Sequence, residues 1–322
     1  MNKQLSTWKL ILQSLQQDIA VMLLYVLESK GSSPGRQGFF MAVNANGAME
    51  GSIGGGIMEH KFVEMAREKL RVKSLEPGVK RQVHDKSAAT NQSGMICSGE
   101  QTVLLYPVQQ KEKVSIQNII ASLEKYKNGI LVLSPEGIQF DKIAPEKDFE
   151  YIFRSEDDWL YKEKTGYKNK LFIIGGGHCS LALSNLMQAM DFYISIYDER
   201  KDLKTMLENK AVHEKHFISD YTELTKLIPS GSHHYVVIMT FGYRTDDIAL
   251  RSLMNKEFRY TGVLGSKKKM EKLFDDFRKE GVNENQLKQI HTPIGISIRS
   301  QTPEEIAVSI AAEIISIKNE QV

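Results

Sequence analysis

Apolar residues recur along the chain at two spacings, which predict helices and strands in mixed order. In the N-terminal half, apolar positions between Trp8 and Leu15 have helical spacing, and the continuous apolar run Ile19–Leu27 is typical of a buried strand. Further strands are predicted at 39–43, 79–84, 101–108 and as a pair within 130–140, and helices after residue 56 and over 114–126. This pattern predicts a mixed α/β N-terminal domain.

In the C-terminal half, apolar runs alternate with helical segments, as in a parallel sheet. A strand over 171–174 is followed by three glycines, a helix, and a second strand, 192–197, that ends in Asp198. We predict a polar helix after Arg200, strands at 213–217, 235–239 and 260–264, and a last helix that begins at the capping box Thr302–Glu305. The predicted class is therefore α/β: a mixed domain with its linker over 1–165, then a Rossmann-like parallel-sheet domain over 166–322. The charged stretch 141–170 contains the boundary.

Composition and charge restrict the classes of function that the protein can have. Lys and Arg total 42 against 40 Asp and Glu, a net charge of +2, which does not favour nucleic-acid or membrane-surface binding. No apolar run has bilayer-spanning length, and the N-terminus lacks the apolar core of a signal peptide. The two cysteines, Cys97 and Cys179, are expected to be reduced thiols. These features predict a cytoplasmic protein.

The segment from Leu171 to Arg200 has the order of a dinucleotide-binding βαβ unit. Gly175 permits the tight turn, Gly177 allows close approach to a pyrophosphate, and Asp198 stands where a carboxylate can hold ribose hydroxyls. Ser180 replaces the third glycine and is small enough to keep helix and strand close. Asp198 favours NAD over NADP, and Arg200 weakens that preference. A glycine turn that only begins an ordinary helix is the alternative.

A second run of three glycines, Gly54-Gly55-Gly56, precedes the helix predicted after residue 56. Such a turn can form a nest of backbone N–H groups for an oxyanion, or can serve only close packing and positive φ. Cys97 stands where a polar loop meets a strand, which suggests a partly exposed thiol, although a single cysteine is more often a buried apolar residue.

Two later segments are weaker candidates. Residues 240–247 follow a strand whose end is expected to line the ligand crevice. Ser266 precedes three lysines, 267–269, at a helix start, which indicates an anion site or simply a capped helix with a solvated basic turn.

Four segments together resemble the XdhC/CoxI family of xanthine dehydrogenase accessory proteins. They are GSSPGRQGFFMAVNANGAMEGSIGGGIMEH (31–60), GMICSGEQ (94–101), LFIIGGGHCS with YDER, and YTGVLGSKKKM with PIGISIRSQTPEEIAVSIAAEII. The resemblance covers both halves in the family's order. It implies a chaperone that binds the molybdenum cofactor, assists its sulfuration and delivers it to a xanthine dehydrogenase-type enzyme of purine catabolism.

The resemblance also assigns cofactor-binding residues and one metal contact. The cofactor-binding positions are Arg36, Gly54, Gly55, Gly56, Cys97, Gly175, Gly177, His178 and Asp198. Cys97 is the residue expected to contact molybdenum or sulfur, because a thiolate is a soft ligand. There are departures: Cys97-Ser98-Gly99 replaces the usual Cys-Gly-Gly, Thr240-Phe241 replaces an expected Thr-His pair, and the glycine expected near Arg299 is absent. For His178, a backbone-satisfied loop histidine is the alternative.

Three hypotheses follow. The first is a non-catalytic cofactor chaperone that binds the molybdenum cofactor transiently, with a molybdoenzyme as partner, a sulfurtransferase as a second one, and a homodimeric state implied by the resemblance alone. The second is an NAD(P)- or FAD-dependent oxidoreductase or part of a xanthine dehydrogenase, against which stands the lack of an acid/base constellation or a redox cysteine pair in the sequence. The third is a scaffold that binds the target enzyme without a ligand.

Overall fold

The computed structural model describes residues 3–73, 76–83, 99–143 and 147–320. The chain divides into two compact units, the first ending at Gly166 and the second beginning at Tyr167. Within the described ranges, no helix is both long enough and apolar enough to cross a membrane.

The first unit contains mixed helices and strands. In chain order they are α1 (Lys3–Gln16), β1 (Val21–Gly31), β2 (Phe40–Asn44), β3 (Met49–Gly51), α2 (Gly56–Arg71), β4 (Gly78–Val83), β5 (Gly99–Val108), α3 (Lys113–Glu124), β6 (Gly129–Ser134), β7 (Gly137–Asp141), β8 (Phe149–Ser155) and β9 (Asp158–Thr165). They form one sheet in the order β3-β2-β1-β5-β4 and another in the order β7-β6-β9-β8, with antiparallel neighbours in both.

Strand β1 lies at the centre of the first unit, and both of its faces are buried. Leu23 and Tyr25 belong to the core that also contains side chains of α1 and α3. Met22 and Leu24 point to the opposite face, where they pack in a second core with α2. Burial on both faces explains why this strand is continuously apolar.

The charged stretch between the predicted domains contains two strands that the sequence analysis missed. Strand β9 alternates buried and partly exposed positions, so that Trp159 and Tyr161 face the core while Lys162 faces outward. The residue that breaks the pattern is Glu163, a buried carboxylate that accepts hydrogen bonds from the hydroxyls of Tyr25 and Tyr161. An inward-facing carboxylate hides a period-two pattern, because in sequence it has the appearance of a charged linker.

The second unit alternates strands and helices as predicted. Its elements are β10 (Asn169–Ile174), α4 (His178–Ala189), β11 (Phe192–Asp198), α5 (Lys204–Leu207), β12 (Glu214–Phe217), α6 (Leu224–Leu227), β13 (Gly231–Ile238), α7 (Tyr243–Leu253), β14 (Phe258–Val263), α8 (Lys267–Lys279), α9 (Glu284–Lys288), β15 (Ile290–His291) and α10 (Pro303–Asn319). The polar helix predicted after Arg200 is a single turn, α5. The capping box at Thr302 and Glu305 is confirmed.

The sheet of the second unit is parallel and has the strand order β12-β11-β10-β13-β14-β15. Numbered within the unit, this is the order 3-2-1-4-5-6 of dinucleotide-binding folds. One face packs on α4 and α10, and the other packs on α7 and α8, so the strands are buried on both sides. The predicted α/β class, with a Rossmann-like second domain, is confirmed.

Candidate functional site

The first candidate site is the glycine turn between β3 and α2. Gly54, Gly55 and Gly56 have φ values of 127°, 77° and 69°, in the region that favours glycine. A Cβ atom on Gly54 would lie 2.4 Å from the backbone nitrogen of Gly35, so this glycine also allows two backbones to touch. Cβ atoms on Gly55 and Gly56 would meet nothing within 4 Å, so the turn is open on that side.

A buried glutamine joins this turn to the loop that follows β1. The Gln101 side chain is 1% exposed; its Nε2 donates to the carbonyl of Ile53 at 2.9 Å, and its Oε1 accepts from the Ser33 hydroxyl at 3.1 Å. Gly31, at the end of β1, pairs with Gly99 at the start of β5. The structure therefore brings together the loop that carries Arg36, the glycine turn and the start of β5. No local sequence signal marks Gln101 for this role.

The glycine turn already binds one oxyanion, which belongs to the chain itself. Oε2 of Glu59, in the first turn of α2, accepts hydrogen bonds from the Ser52 hydroxyl at 2.6 Å, the Ile53 N–H at 2.9 Å and the Gly55 N–H at 3.0 Å. A carboxylate in this position is also favoured by the helix dipole. The predicted nest exists, but Glu59 occupies its inner donors, a role that was not predicted from the sequence.

Arg36 is exposed beside this turn. Its Nη1 donates to the Gly31 carbonyl at 3.1 Å, which anchors the guanidinium to the loop. Cys97 lies outside the described residues, so its proposed contact with molybdenum or sulfur stays a prediction. In the sequence it stands two residues before Gly99, which pairs with Gly31. Across the described ranges, no group of three or more His, Cys, Asp or Glu side chains is placed to hold a metal ion.

The second candidate site is the glycine turn between β10 and α4. Gly175 has φ 105°, and a Cβ atom there would lie 2.3 Å from the carbonyl oxygen of Met239, so the turn must be tight. Ser180 is fully buried and its hydroxyl donates to the Gly175 carbonyl. The serine at the third glycine position thus keeps helix and strand close, as predicted, and also adds a hydrogen bond.

Helix α4 begins directly above this turn, at the carboxyl end of β10. Gly177 is its N-cap residue, and a Cβ atom there would meet nothing within 4 Å. His178 is the first helical residue and its side chain is exposed. The turn lies between β11 and β13, which is the point where the strand order reverses and where such sheets bind ligands. A ligand contact by Gly177 or His178 stays a prediction.

Asp198 has a different environment from the one expected of a ribose ligand. Its side chain is fully buried, and its carboxylate accepts from Gly176 N at 2.7 Å and from the backbone N, Nε and Nη2 of Arg200 at 2.8, 2.9 and 2.7 Å. Burial alone would raise the pKa of Asp198, but these hydrogen bonds and the charge of Arg200 hold it below its ordinary value. Asp198 therefore fixes the glycine turn and Arg200, and the guanidinium is the exposed group at this strand end.

A further polar cluster lies at the end of β13. Asp246 is fully buried, accepts from the N–H and hydroxyl of Thr240, and forms an ion pair with Lys269 at the start of α8. The Ser266 hydroxyl accepts from Lys269 N, so the predicted cap is confirmed. Among the three lysines of the predicted anion site, Lys269 is paired with Asp246. Asp246 and Lys269 are separated by 23 positions in the sequence, which explains why the pair was not predicted.

The fold and these turns define the class of protein: a two-unit α/β protein whose second unit is a Rossmann domain. The sequence matches the family described as "XdhC Rossmann domain" over residues 171–314 and the one described as "XdhC and CoxI family" over residues 14–77. The chain belongs to the XdhC and CoxI family, which confirms the resemblance.

Two curated proteins are similar in sequence to the chain. The chain is 24% identical over 307 residues to the uncharacterized protein YqeB of Escherichia coli (strain K12), covering 94% of this chain and 44% of that protein. It is 28% identical over 161 residues to a protein of Bacillus subtilis (strain 168) named as a probable xanthine dehydrogenase subunit, covering 49% of this chain and 46% of that protein. The chain thus spans about half the length of the curated relatives it matches.

One solved structure has the same fold over nearly the whole chain. It is described as a xanthine dehydrogenase from Bacillus halodurans, with a TM-score of 0.71 and 23% identity, and the match covers 98% of this chain and 97% of that one. At this identity the comparison establishes the fold alone.

Proposed function

We propose that this protein is an accessory factor of a xanthine dehydrogenase-type molybdoenzyme. In this proposal it binds the molybdenum cofactor as cargo, assists its sulfuration and delivers it to the enzyme. The membership of the XdhC and CoxI family supports the accessory role. The relative from Bacillus subtilis, by its name a probable part of a xanthine dehydrogenase, supports the choice of partner.

The observation that carries the cargo-binding part is the assembly at the open side of the first glycine turn. The Arg36 loop, the turn 54–56 and the start of β5 are fixed to one another by Gln101 and by the Gly31–Gly99 pairing. Backbone N–H groups and a guanidinium suit the phosphate of a pterin. Cys97, just before β5 in the sequence, would supply the soft ligand for molybdenum or sulfur.

The residues of the second unit fit the cargo unequally. Gly177 and His178 lie at the open helix start, where an anionic group would be favoured, and Gly175 forms the tight turn before it. Asp198 is buried and fully hydrogen-bonded, so we assign it the role of supporting the turn rather than contacting a ligand. A sulfurtransferase partner and a homodimer remain part of the proposal by family resemblance.

Cofactor retention provides the test. The purified full chain, kept under reducing conditions, is mixed with molybdenum cofactor, and co-elution and thermal shift are measured. We expect specific retention, and a reduction of roughly tenfold in affinity for Cys97→Ser, equivalent to about 1.4 kcal/mol. Reconstitution of a cofactor-free xanthine dehydrogenase should slow in parallel.

Cys179→Ser is the matched control, because it removes the other thiol of the chain. Cys179 is half-buried beside the core of the second unit. Equal retention by both serine variants and the wild type would contradict the role of Cys97. Oxidation of a purine by the protein alone with NAD would instead support the alternative, an oxidoreductase.

A further inference from the structure

We propose that the crevice of the second unit binds a dinucleotide with a phosphate on its adenosine ribose, NADP(H), in preference to NAD(H). We call it the Arg200 crevice; it is bounded by Gly175–Gly177, Arg200 and Phe241, and the buried Tyr221 hydroxyl lies near Arg200. This inference does not rest on the proposed cargo binding, although the cargo and the nucleotide would share the helix start at Gly177. It concerns which nucleotide the second unit selects.

The position of two side chains defines the mouth of this crevice. Arg200 follows β11 and Phe241 follows β13, and these strands lie on either side of β10. The Arg200 guanidinium carbon is nevertheless 5.1 Å from the centroid of the Phe241 ring. The contact therefore passes across the end of β10, where the glycine turn begins. Phe241 is 64% exposed, so an adenine ring has an aromatic surface available for stacking.

The charges at this strand end favour a phosphate over a ribose diol. In dinucleotide-binding folds a free carboxylate here accepts from the ribose hydroxyls, whereas an arginine accommodates the 2′-phosphate. The Asp198 carboxylate is fully buried and its two oxygens accept four hydrogen bonds from Gly176 and Arg200. A diol would find no free carboxylate oxygen on Asp198.

Arg200 keeps the donors that a phosphate needs. A guanidinium has five N–H bonds, of which one on Nε and one on Nη2 are directed at Asp198. The N–H bonds of Nη1 and the second of Nη2 remain, on a side chain that is 38% exposed. Asp198 also fixes the guanidinium in place, which lowers the entropy lost when a phosphate binds.

A buried hydroxyl points independently to a ligand oxygen at this place. The Tyr221 hydroxyl is buried and has no hydrogen-bond partner among the described residues. This hydroxyl interacts electrostatically with Asp198, Glu199 and Arg200, so it lies near the end of β11. The backbone N–H of Glu199 is near this oxygen as well. A buried donor without a partner is unfavourable, and a phosphate oxygen would accept a hydrogen bond from this hydroxyl.

Titration of the full chain with NADPH, NADP⁺, NADH and NAD⁺, followed by calorimetry, tests the proposal. We expect the phosphorylated forms to bind at least tenfold more tightly than their counterparts. Arg200→Ala should remove that preference. Tyr221→Phe, which keeps the ring in the core, should weaken NADPH binding several-fold and leave NADH binding unchanged.

Lys201→Ala is the matched control, since it removes an adjacent exposed cation without touching Asp198. If the Arg200→Ala variant does not fold because the Asp198 carboxylate loses its partner, a double variant with Asp198→Asn and Arg200→Ala removes both charges. It then tests whether the preference for the phosphorylated nucleotide depends on Arg200. Equal affinity for NADH and NADPH, tighter binding of NADH, or no binding of either would overturn the proposal. Cofactor retention with Cys97→Ser is measured separately, so the two proposals can fail independently.

Discussion

At the scale of single residues, groups that could bind a ligand already form hydrogen bonds with charged side chains of the same chain. Glu59 occupies the inner donors of the first glycine turn. Arg200 covers the carboxylate of Asp198. In both places, the group that the sequence suggests for ligand binding, a turn N–H or the Asp198 carboxylate, already has a hydrogen-bond partner within the chain. A ligand must therefore use the outer donors, those of Gly56 and the exposed guanidinium edges, or displace an internal partner.

Glu59→Gln tests how much this internal anion stabilises the turn. The amide keeps the size and one acceptor oxygen but loses the charge, so hydrogen bonds from Ser52, Ile53 and Gly55 become neutral ones. We expect the free energy of unfolding to fall by about 1 kcal/mol in urea titrations. Glu64→Gln, on the same helix in an exposed pair with Arg67, should change it by less than about 0.5 kcal/mol. Equal effects would mean that the Glu59 contacts contribute nothing specific.

At the scale of elements, the strand–turn–helix unit from β10 to α4 contains one glycine that the backbone requires and one that lies beside open space. A Cβ atom at Gly175 would collide with the Met239 carbonyl, and its φ is positive. At Gly177, φ is −71° and the space beside it is open. Substitution by alanine is therefore expected to affect stability at Gly175 and to leave it nearly unchanged at Gly177.

We expect Gly175→Ala to lower the free energy of unfolding by roughly 2–4 kcal/mol, because it adds backbone strain and a steric clash. Gly177→Ala should leave it within about 0.5 kcal/mol, but should weaken NADPH binding because the methyl group enters the space for the pyrophosphate. Denaturant titration and calorimetry measure the two effects. Loss of stability in Gly177→Ala, or unchanged stability in Gly175→Ala, would contradict this division.

At the scale of the whole molecule, the two units should respond differently to acid. Three carboxyls of the second unit, Asp198, Glu214 and Glu313, have a pKa below the ordinary value: burial alone would raise it, but hydrogen bonds from neighbouring groups outweigh burial. A lowered folded-state pKa contributes stability that is present above the unfolded pKa, at about 4. That stability is lost as pH falls through the folded-state pKa.

We therefore expect the second unit to become less stable as pH falls from about 5 to below 4. Both tryptophans, Trp8 and Trp159, belong to the first unit, so their fluorescence follows that unit alone. Far-UV circular dichroism follows both units. In urea titrations at several pH values, Asp198→Asn should make the second transition less dependent on pH. A second transition with the same midpoint at pH values of about 6 and about 3.5 would refute the prediction.

Local pattern was sufficient for much of the fold. The apolar run of β1, the glycine–helix junctions at Gly56 and His178 and the cap at Thr302 are confirmed, because each depends on neighbours within a few residues. The alternation of strands and helices after residue 170 also determined the parallel sheet. Strands β8 and β9 were missed because Glu163 faces inward, where the remote Tyr25 hydroxyl pairs with it.

The sequence by itself determined the family, the Rossmann class of the second unit and the positions of the two glycine turns, since these follow from periodicity and from short motifs. Only the tertiary structure decided the strand order, the placement of Glu59 inside the first turn, and the pairings Asp198–Arg200 and Asp246–Lys269. Whether a charged side chain binds a ligand depends on which partners reach it. Those partners come from separate strands and helices, or from a local geometry that spacing in the chain does not specify.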